Sequence, residues 1–451
     1  MIIDCRLPRA RGGQRRARGD QMMIANSKHD FQAEMLADTL ADTRRNGESL
    51  RDRRERRVGS YSPGYQRAVH DLAASSAVVE DLADSFPALL FALATGYATP
   101  ERRNACLNLI KSGDSLRTAA DVLGLPQWLR KLPAAAFTGP LVTFPADAQF
   151  GLRIASLVPS SGDAAELWLA LVGEAMVGHG PEYALWIARY GHAVSRHLSP
   201  PQRRLMATWS WYSVHPECDA SYLIRKRWSP DMSPRRALEE FHAWRERLAL
   251  ADWLGTGRLE PWIAGGTAQG FSFEPLHTAA DFIGAAHALD NCLDQYVAQM
   301  RQGVSMVAVV RKGGRIVACV EIGLNEAEPT MPTIIQLRGP KNRRTGADVW
   351  QAAFAWLGSA PIEPFAADRL TPSAADRAKA RRDLWKPYFT FLDDAGPNAA
   401  FATEYKQQIR RSAATKAAGR TAGLRLVPQR RSPRPTARAA VLSSMISGRS
   451  R

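Results

Sequence analysis

Cysteine is scarce in this chain. Five residues in 451, Cys5, Cys106, Cys218, Cys292 and Cys319, are odd in number, widely spread and never arranged C-x-x-C. That pattern excludes a disulfide framework and a cysteine-built zinc scaffold. Long apolar runs are missing too: the longest, around Phe86 to Tyr97, is too short to span a bilayer. The arginine-rich opening MIIDCRLPRARGGQRRARGD leads into no apolar segment of the kind a secretory signal needs, so a cytoplasmic protein with no membrane association is expected. Met22, Met23 and Met35 offer later translation starts. There is no internal repeat and no catalytic motif of a well-described enzyme class.

The middle of the chain also lacks net charge. The whole carries +16, yet residues 61 to 400 hold 34 charges of each sign. The excess sits in residues 1 to 60, at +5, and in residues 401 to 451, where twelve cations face the single acid Glu404. A basic globular face is therefore not implied; a basic tail is. Such a tail gains from counterion release on phosphate, without sequence preference. The opposing reading is a solubilising tail in an arginine-rich genome.

What is present is mostly helical period. From about Pro63 to Gly270, apolar residues recur at three and four positions, as in Leu167, Trp168, Leu171 and Val172. Ser233 followed by Pro234 marks the start of a long amphipathic helix with Leu238, Phe241, Trp244, Leu248 and Trp253 on its stripe. After a helical stretch over 278–302, VSMVAVVR and RIVACVEI form β-branched runs split by Lys312, Gly313 and Gly314, a hairpin signal. TIIQLRG adds a third strand, and ADVWQAAFAWLG returns to helix. The fold class expected is α+β: a disordered charged arm over 1–62, a helical domain over 63–270, a helix-hairpin-strand-helix module with an antiparallel sheet over 271–395, and a disordered basic tail over 396–451.

Polar residues lodged in apolar elements mark the module as the place for chemistry. Alternation puts Ile316, Ala318, Val320 and Ile322 on one face of the second strand, and Val317, Cys319 and Glu321 on the other. On the third strand Ile334, Gln336 and Arg338 share a face and can meet Glu321 across the sheet. Cys292 and Tyr296, four apart, share a helical face with Leu289 and Met300. Cys292, Tyr296, Glu321, Gln336 and Arg338 are thus the catalytic candidates, with Glu321 as acid/base or Cys292 as nucleophile and Arg338 on an anionic substrate. An architectural reading stands beside it: a core cysteine, and a Glu321–Arg338 ion pair with Gln336 satisfying the backbone. The loop of Arg338, Lys341, Asn342, Arg343 and Arg344 is either a turn or a phosphate cradle.

The run ALDNCLDQYVAQMRQGVSMVAVVRKGGRIVACVEIGL, followed by TIIQLRGPKNRR, resembles the PcfJ-like family of conjugative plasmids and other mobile elements. The pattern falls on Asn291, Cys292, Tyr296, Gly303, Glu321, Ile322, Gln336, Arg338, Gly339 and Asn342. At Asn291 many members have His, a departure that weakens a thiol mechanism. The resemblance spans about residues 275 to 360 and implies a context, DNA transfer or conjugation accessory work, rather than a reaction.

Outside the module, SLRTAADVLGLPQWLRKL (115–132) reads as helix, glycine turn, helix, with Arg130 and Lys131 facing outward in the manner of a helix-turn-helix. Trp128 and Leu129 offer the opposing reading, a hairpin docked into the bundle. His192 with His197, and His215 with Cys218, lack a complete ligand set, so no metal and no cofactor is expected. Tryptophans from Trp168 to Trp262 recur at helical spacing and read as core. Three functions remain open: an accessory protein engaging nucleic acid through Arg130, Lys131, Lys341, Asn342, Arg343, Arg344, Arg410, Arg411, Arg430 and Arg431; an enzyme of unknown reaction; and a helical scaffold for a relaxase or another transfer-complex protein.

Overall fold

The computed structural model describes residues 50–255, 257–295, 305–324, 332–360 and 373–419. The chain begins there as a run of helices: α1 (Leu50–Gly59), α2 (Pro63–Ala73), the one-turn α3 (Ala77–Glu80) and α4 (Leu82–Ser85), α5 (Pro87–Thr95), α6 (Pro100–Lys111) and α7 (Leu116–Leu123). After two 3-10 turns come α8 (Ala148–Ala155), α9 (Gly162–Gly178), α10 (Pro181–Ser195), α11 (Pro200–Val214) and α12 (Pro234–Leu254). Local signals set these boundaries. Proline occupies the first position of α2, α5, α6, α10, α11 and α12, where its missing N–H costs nothing. The Ser233 side chain accepts from Arg236 N at the start of α12, as the sequence indicates. Gly96 and Gly124 end α5 and α7 in the left-handed region.

The sheet module follows: β1 (Gly266–Ala268), β2 (Phe271–Pro275), α13 (Ala279–Leu289), β3 (Ser305–Lys312), β4 (Arg315–Leu324), β5 (Pro332–Arg338) and α14 (Ala347–Ser359). The strands form one antiparallel sheet in the order of the sequence. β1 and β2 are a hairpin that the strand signals did not reveal. One face of the sheet, with Met306, Ala308, Val310, Ala318, Val320, Ile322 and Leu337, closes on Val349, Ala352, Ala353 and Trp356 of α14. Phe273 stacks on Trp356 at 4.5 Å and 7°. The other face, with Val307, Val309 and Cys319, joins α13 and the helical body in one continuous core.

The helices do not end with the module. α15 (Ala374–Asp393) and α16 (Ala399–Gly419) return to the helical body. Tyr388 Oη donates to Gly178 O (2.6 Å), Asn398 exchanges two hydrogen bonds with Thr143 (2.8 and 2.9 Å), and Arg381 grips Asp252 through both oxygens. Tyr405 and Ile409 of α16 are buried. The division expected from composition is therefore corrected at both ends. Helix α1 already falls within the expected arm, and residues 374–419 belong to the helical body, not to the module or to a disordered tail. The composition of α16 hides this: its large apolar residues are just Phe401, Tyr405 and Ile409, and of these Tyr405 and Ile409 enter the core beside Ala402. Residues 420–451 lie outside the described residues.

Two β-bulges revise the assignment of faces. Between Val310 and Arg311 the register with β4 shifts so that Val310 opposes Ala318 and Arg311 opposes Ile316. The extra residue, Val317, inverts the alternation: Ile316 packs on the α13 side and Val317 on the α14 side. A second shift, opposite Glu321 and Ile322, leaves Ile335 unpaired and 54% exposed, and sends Ile334 to the α14 side with Leu337. Ile334 thus does not share a face with Gln336, whereas Glu321, Gln336 and Arg338 stay together.

Candidate functional site

The cleft lies where the end of α13, the middle of β4 and the end of β5 meet. α13 stops at Leu289 because Asp290 turns left-handed, with φ of 49°. Cys292 is therefore in a turn after the helix, not on a helical face with Leu289, and the expected helix over 278–302 is broken here. Tyr296, Met300 and Gly303 lie outside the described residues. The turn is clamped from the helical body: Arg225 pairs with Asp290, and Arg247 of α12 pairs with Asp294 at 3.0 Å. Both members of the second pair are buried, and Arg247 Nε also donates to Leu223 O (2.6 Å).

Asn291 is buried and bonds in two directions. Its Oδ1 accepts from Leu293 N (3.2 Å), fixing the turn, and its Nδ2 donates to Cys319 Sγ (3.4 Å), fixing the turn to β4. Asn291 is thus a structural amide. Burial pushes the Cys319 thiol up to about 11, against the opposing Asn291 hydrogen bond, so it is protonated at neutral pH.

Across the sheet, Glu321 directly opposes Gln336, and Gln336 Nε2 donates to Glu321 Oε2 at 2.6 Å. Arg338 opposes Cys319 on the same face. Among the described residues no carboxylate lies within 4 Å of the Arg338 guanidinium, so the anticipated Glu321–Arg338 ion pair is replaced by a carboxylate–amide bond. Asn291, Cys292, Leu293, Val307, Cys319, Glu321, Gln336, Arg338 and Asn342 together line a narrow crevice of about 10 Å³, room for about one water.

The loop over the cleft is tight. Gly339 N donates to Arg343 O (2.9 Å) and Arg338 bridges to Arg344, folding the chain back on itself. Lys341 and Asn342 both adopt left-handed backbone, with φ of 55° and 56°. Two consecutive non-glycine residues in that region cost about 2 kcal/mol together. The strain places Asn342 Nδ2 at 3.5 Å from Cys292 Sγ and holds Lys341, Arg343 and Arg344 exposed at the rim.

Chemically, the crevice leaves little room for a substrate, and its polar side chains largely pair with one another. Among the described residues no His or carboxylate bonds Cys292; its polar contact is an amide. His287, whose pKa burial and the charges of Arg247 and Arg225 lower, belongs to the buried side of α13. Glu321 is buried and engaged by Gln336. What stays available is a guanidinium and a rim of three cations.

The remaining candidates are scattered. Arg130 and Lys131 lie in a five-residue 3-10 turn (Gln127–Lys131), not in a second α-helix, because Trp128 and Leu129 anchor it in the core. Arg130 Nε donates to Ser85 O (2.9 Å) and Lys131 Nζ to Ala155 O (3.0 Å), so both side chains satisfy carbonyls at helix ends. That corrects the helix-turn-helix reading. Arg410 lies over the Phe389 ring at 5.0 Å, and Arg411 neighbours it on α16. Arg430 and Arg431 fall outside the described residues. Among the described residues no cluster of His, Cys, Asp or Glu could hold a metal ion, and no helix is long and apolar enough to cross a membrane. Sequence reasoning missed Asn291 as a structural residue, and the Arg225 and Arg247 clamps, whose partners are 65 and 47 positions away.

Comparison with family models, with curated proteins and with solved structures finds no match to this chain.

Proposed function

We propose that this protein binds nucleic acid in the cytoplasm, as an accessory of a mobile genetic element, through the cationic rim of its sheet module. One observation carries the reading: Arg338 has no carboxylate partner among the described residues, while Lys341, Arg343 and Arg344 stand exposed beside it on a strained loop. A guanidinium held by a strand end can take a phosphate through two parallel N–H bonds, and the neighbouring cations add contacts that read no sequence. The basic segment after Gly419, with Arg430 and Arg431, adds a further electrostatic term. The mobile-element context rests on the sequence pattern that resembles the PcfJ-like family, and a relaxase or another transfer protein fits that context as a partner.

The test is binding of labelled single-stranded and duplex DNA across a range of salt. It compares the intact chain with an Arg338→Ala, Arg343→Ala, Arg344→Ala triple variant. Each lost phosphate contact should lower the slope of log affinity against log salt by about 0.7 to 0.9. A triple variant with the affinity and slope of the intact chain refutes the reading.

A further inference from the structure

Two cysteines from different elements line the same crevice. Cys319 stands in the middle of β4, and Cys292 in the turn that follows α13 at Asp290. Asn291 Nδ2 donates to Cys319 Sγ (3.4 Å), and the next residue along is Cys292, whose Sγ accepts from Asn342 Nδ2 (3.5 Å). The two thiols sense one another: the charge of an ionised Cys292 is among the causes that raise Cys319, after its burial. The other described cysteines lie elsewhere, Cys106 fully buried in α6 and Cys218 just before the 3-10 turn Asp219–Leu223.

Their surroundings differ as the two halves of a stepwise oxidation require. Cys292 is half-buried and reaches solvent, so a small oxidant meets it first. Cys319 is buried and protonated at neutral pH, so it is shielded from the same oxidant. Each sulfur has an amide N–H directed at it, and a donor there favours the charge that develops when a thiol reacts. The crevice they share holds about one water, the space that a single oxygen atom on Cys292 needs. A thiol that only fills the core needs neither the donor nor the space. Scattered cysteines exclude a framework of disulfides, but they leave room for one reversible bond, the form a reducing compartment tolerates.

We propose that Cys292 and Cys319 are a redox pair that a peroxide converts to a disulfide. The Cys292 sulfur attacks one peroxide oxygen and the O–O bond breaks. The departing hydroxide takes up the proton that the thiol gave, leaving water and a sulfenic acid, S–OH, on Cys292. The Cys319 sulfur then attacks the Cys292 sulfur: the S–S bond forms, the S–O bond breaks, and the Cys319 proton leaves with the hydroxyl as a second water. The two thiols have given up two electrons, and one peroxide has become two waters. A dithiol reductant reverses the change. This inference stands apart from the nucleic-acid reading.

In the experiment the reduced full chain meets millimolar hydrogen peroxide, its remaining thiols are blocked with iodoacetamide, and tryptic peptides are mapped by mass with and without dithiothreitol. Trypsin cuts between the two cysteines at Arg301 and Arg315, so the bond appears as one linked species that dithiothreitol splits. That species should exceed any link to Cys5, Cys106 or Cys218 about tenfold, because its partners are already adjacent. In Cys319→Ser the sulfenic acid has no thiol to condense with, and dimedone should mark Cys292 about tenfold more than in the intact chain. The melting midpoint of this near-isosteric variant is checked first; should it not fold, the map of the intact chain decides alone. Absence of the linked species, whether Cys292 stays a thiol or runs on to the sulfinic acid, overturns the proposal. So does equal dimedone marking of the two chains, or a bond from Cys292 to another cysteine in comparable yield.

Discussion

Arg247 of α12 and Asp294 of the turn after α13 form a buried ion pair at 3.0 Å, and with it the helical body holds the turn that carries Cys292. Removing one partner leaves the other charged and desolvated. Arg247→Met should cost about 3–5 kcal/mol, and Arg247→Met with Asp294→Leu should recover much of that loss. Urea midpoints of the three proteins check this. A single variant as stable as the parent would mean that the pair does not anchor the module.

The thiols should sort by burial. Cys106 and Cys319 are buried, and burial pushes each up to about 11; Cys292 and Cys218 are half-buried. A short pulse of iodoacetamide near neutral pH, read by peptide mass mapping, should mark Cys292 and Cys218 first and reach Cys106 and Cys319 only after unfolding.

Acid should destabilise the helical body through His179. Its ring packs against Tyr183 and Trp228, and burial lowers its pKa from 6.5 to about 4, with the charge of His215 adding to the effect. The unfolded chain takes up a proton below about 6.5 while the native ring refuses it, so this stability is complete above 6.5 and lost as pH falls toward 4. The loss amounts to about 3 kcal/mol. His179→Phe should flatten that limb of the stability–pH curve measured by urea unfolding; an unchanged limb would reject the assignment.

Truncation should separate structure from charge at one boundary. A chain ending at Gly419 keeps Tyr405 and Ile409 in the core and should melt like the intact protein. A chain ending at Pro397 loses Asn398, its two bonds to Thr143 and all of α16, and should lose several kcal/mol, about 2–5 for each large buried side chain removed. Calorimetry of both decides it.

Much of the module was legible because its signals are local. Lys312, Gly313 and Gly314 announce the turn between β3 and β4, and both glycines have positive φ. Ser233 and Pro234 announce α12, and ADVWQAAFAWLG announces α14, which ends one residue later at Ser359. The convergence of Glu321, Gln336 and Arg338 followed from alternation, since no bulge falls between Gln336 and Arg338. What escaped depends on distance. β1 and β2 are only three and five residues long, and Phe273 holds them by stacking on Trp356, 83 positions on. The faces of Ile316 and Ile334 were inverted by single extra residues that periodicity does not register. α16 has the composition of a tail and is a helix because the groove beside Gly178 accepts Tyr405: a Cβ on Gly178 would collide with its phenol.

The bonds between Thr143 and Asn398 join positions 255 apart, and they close a core whose first helices precede the sheet module entirely. On the ribosome, that core has to wait, open along α9 and α11, while the module is made and folded in between. α16, made after the module, is the helix that shuts it, and the arginine-rich segment beyond Gly419 follows only after the seal is within reach.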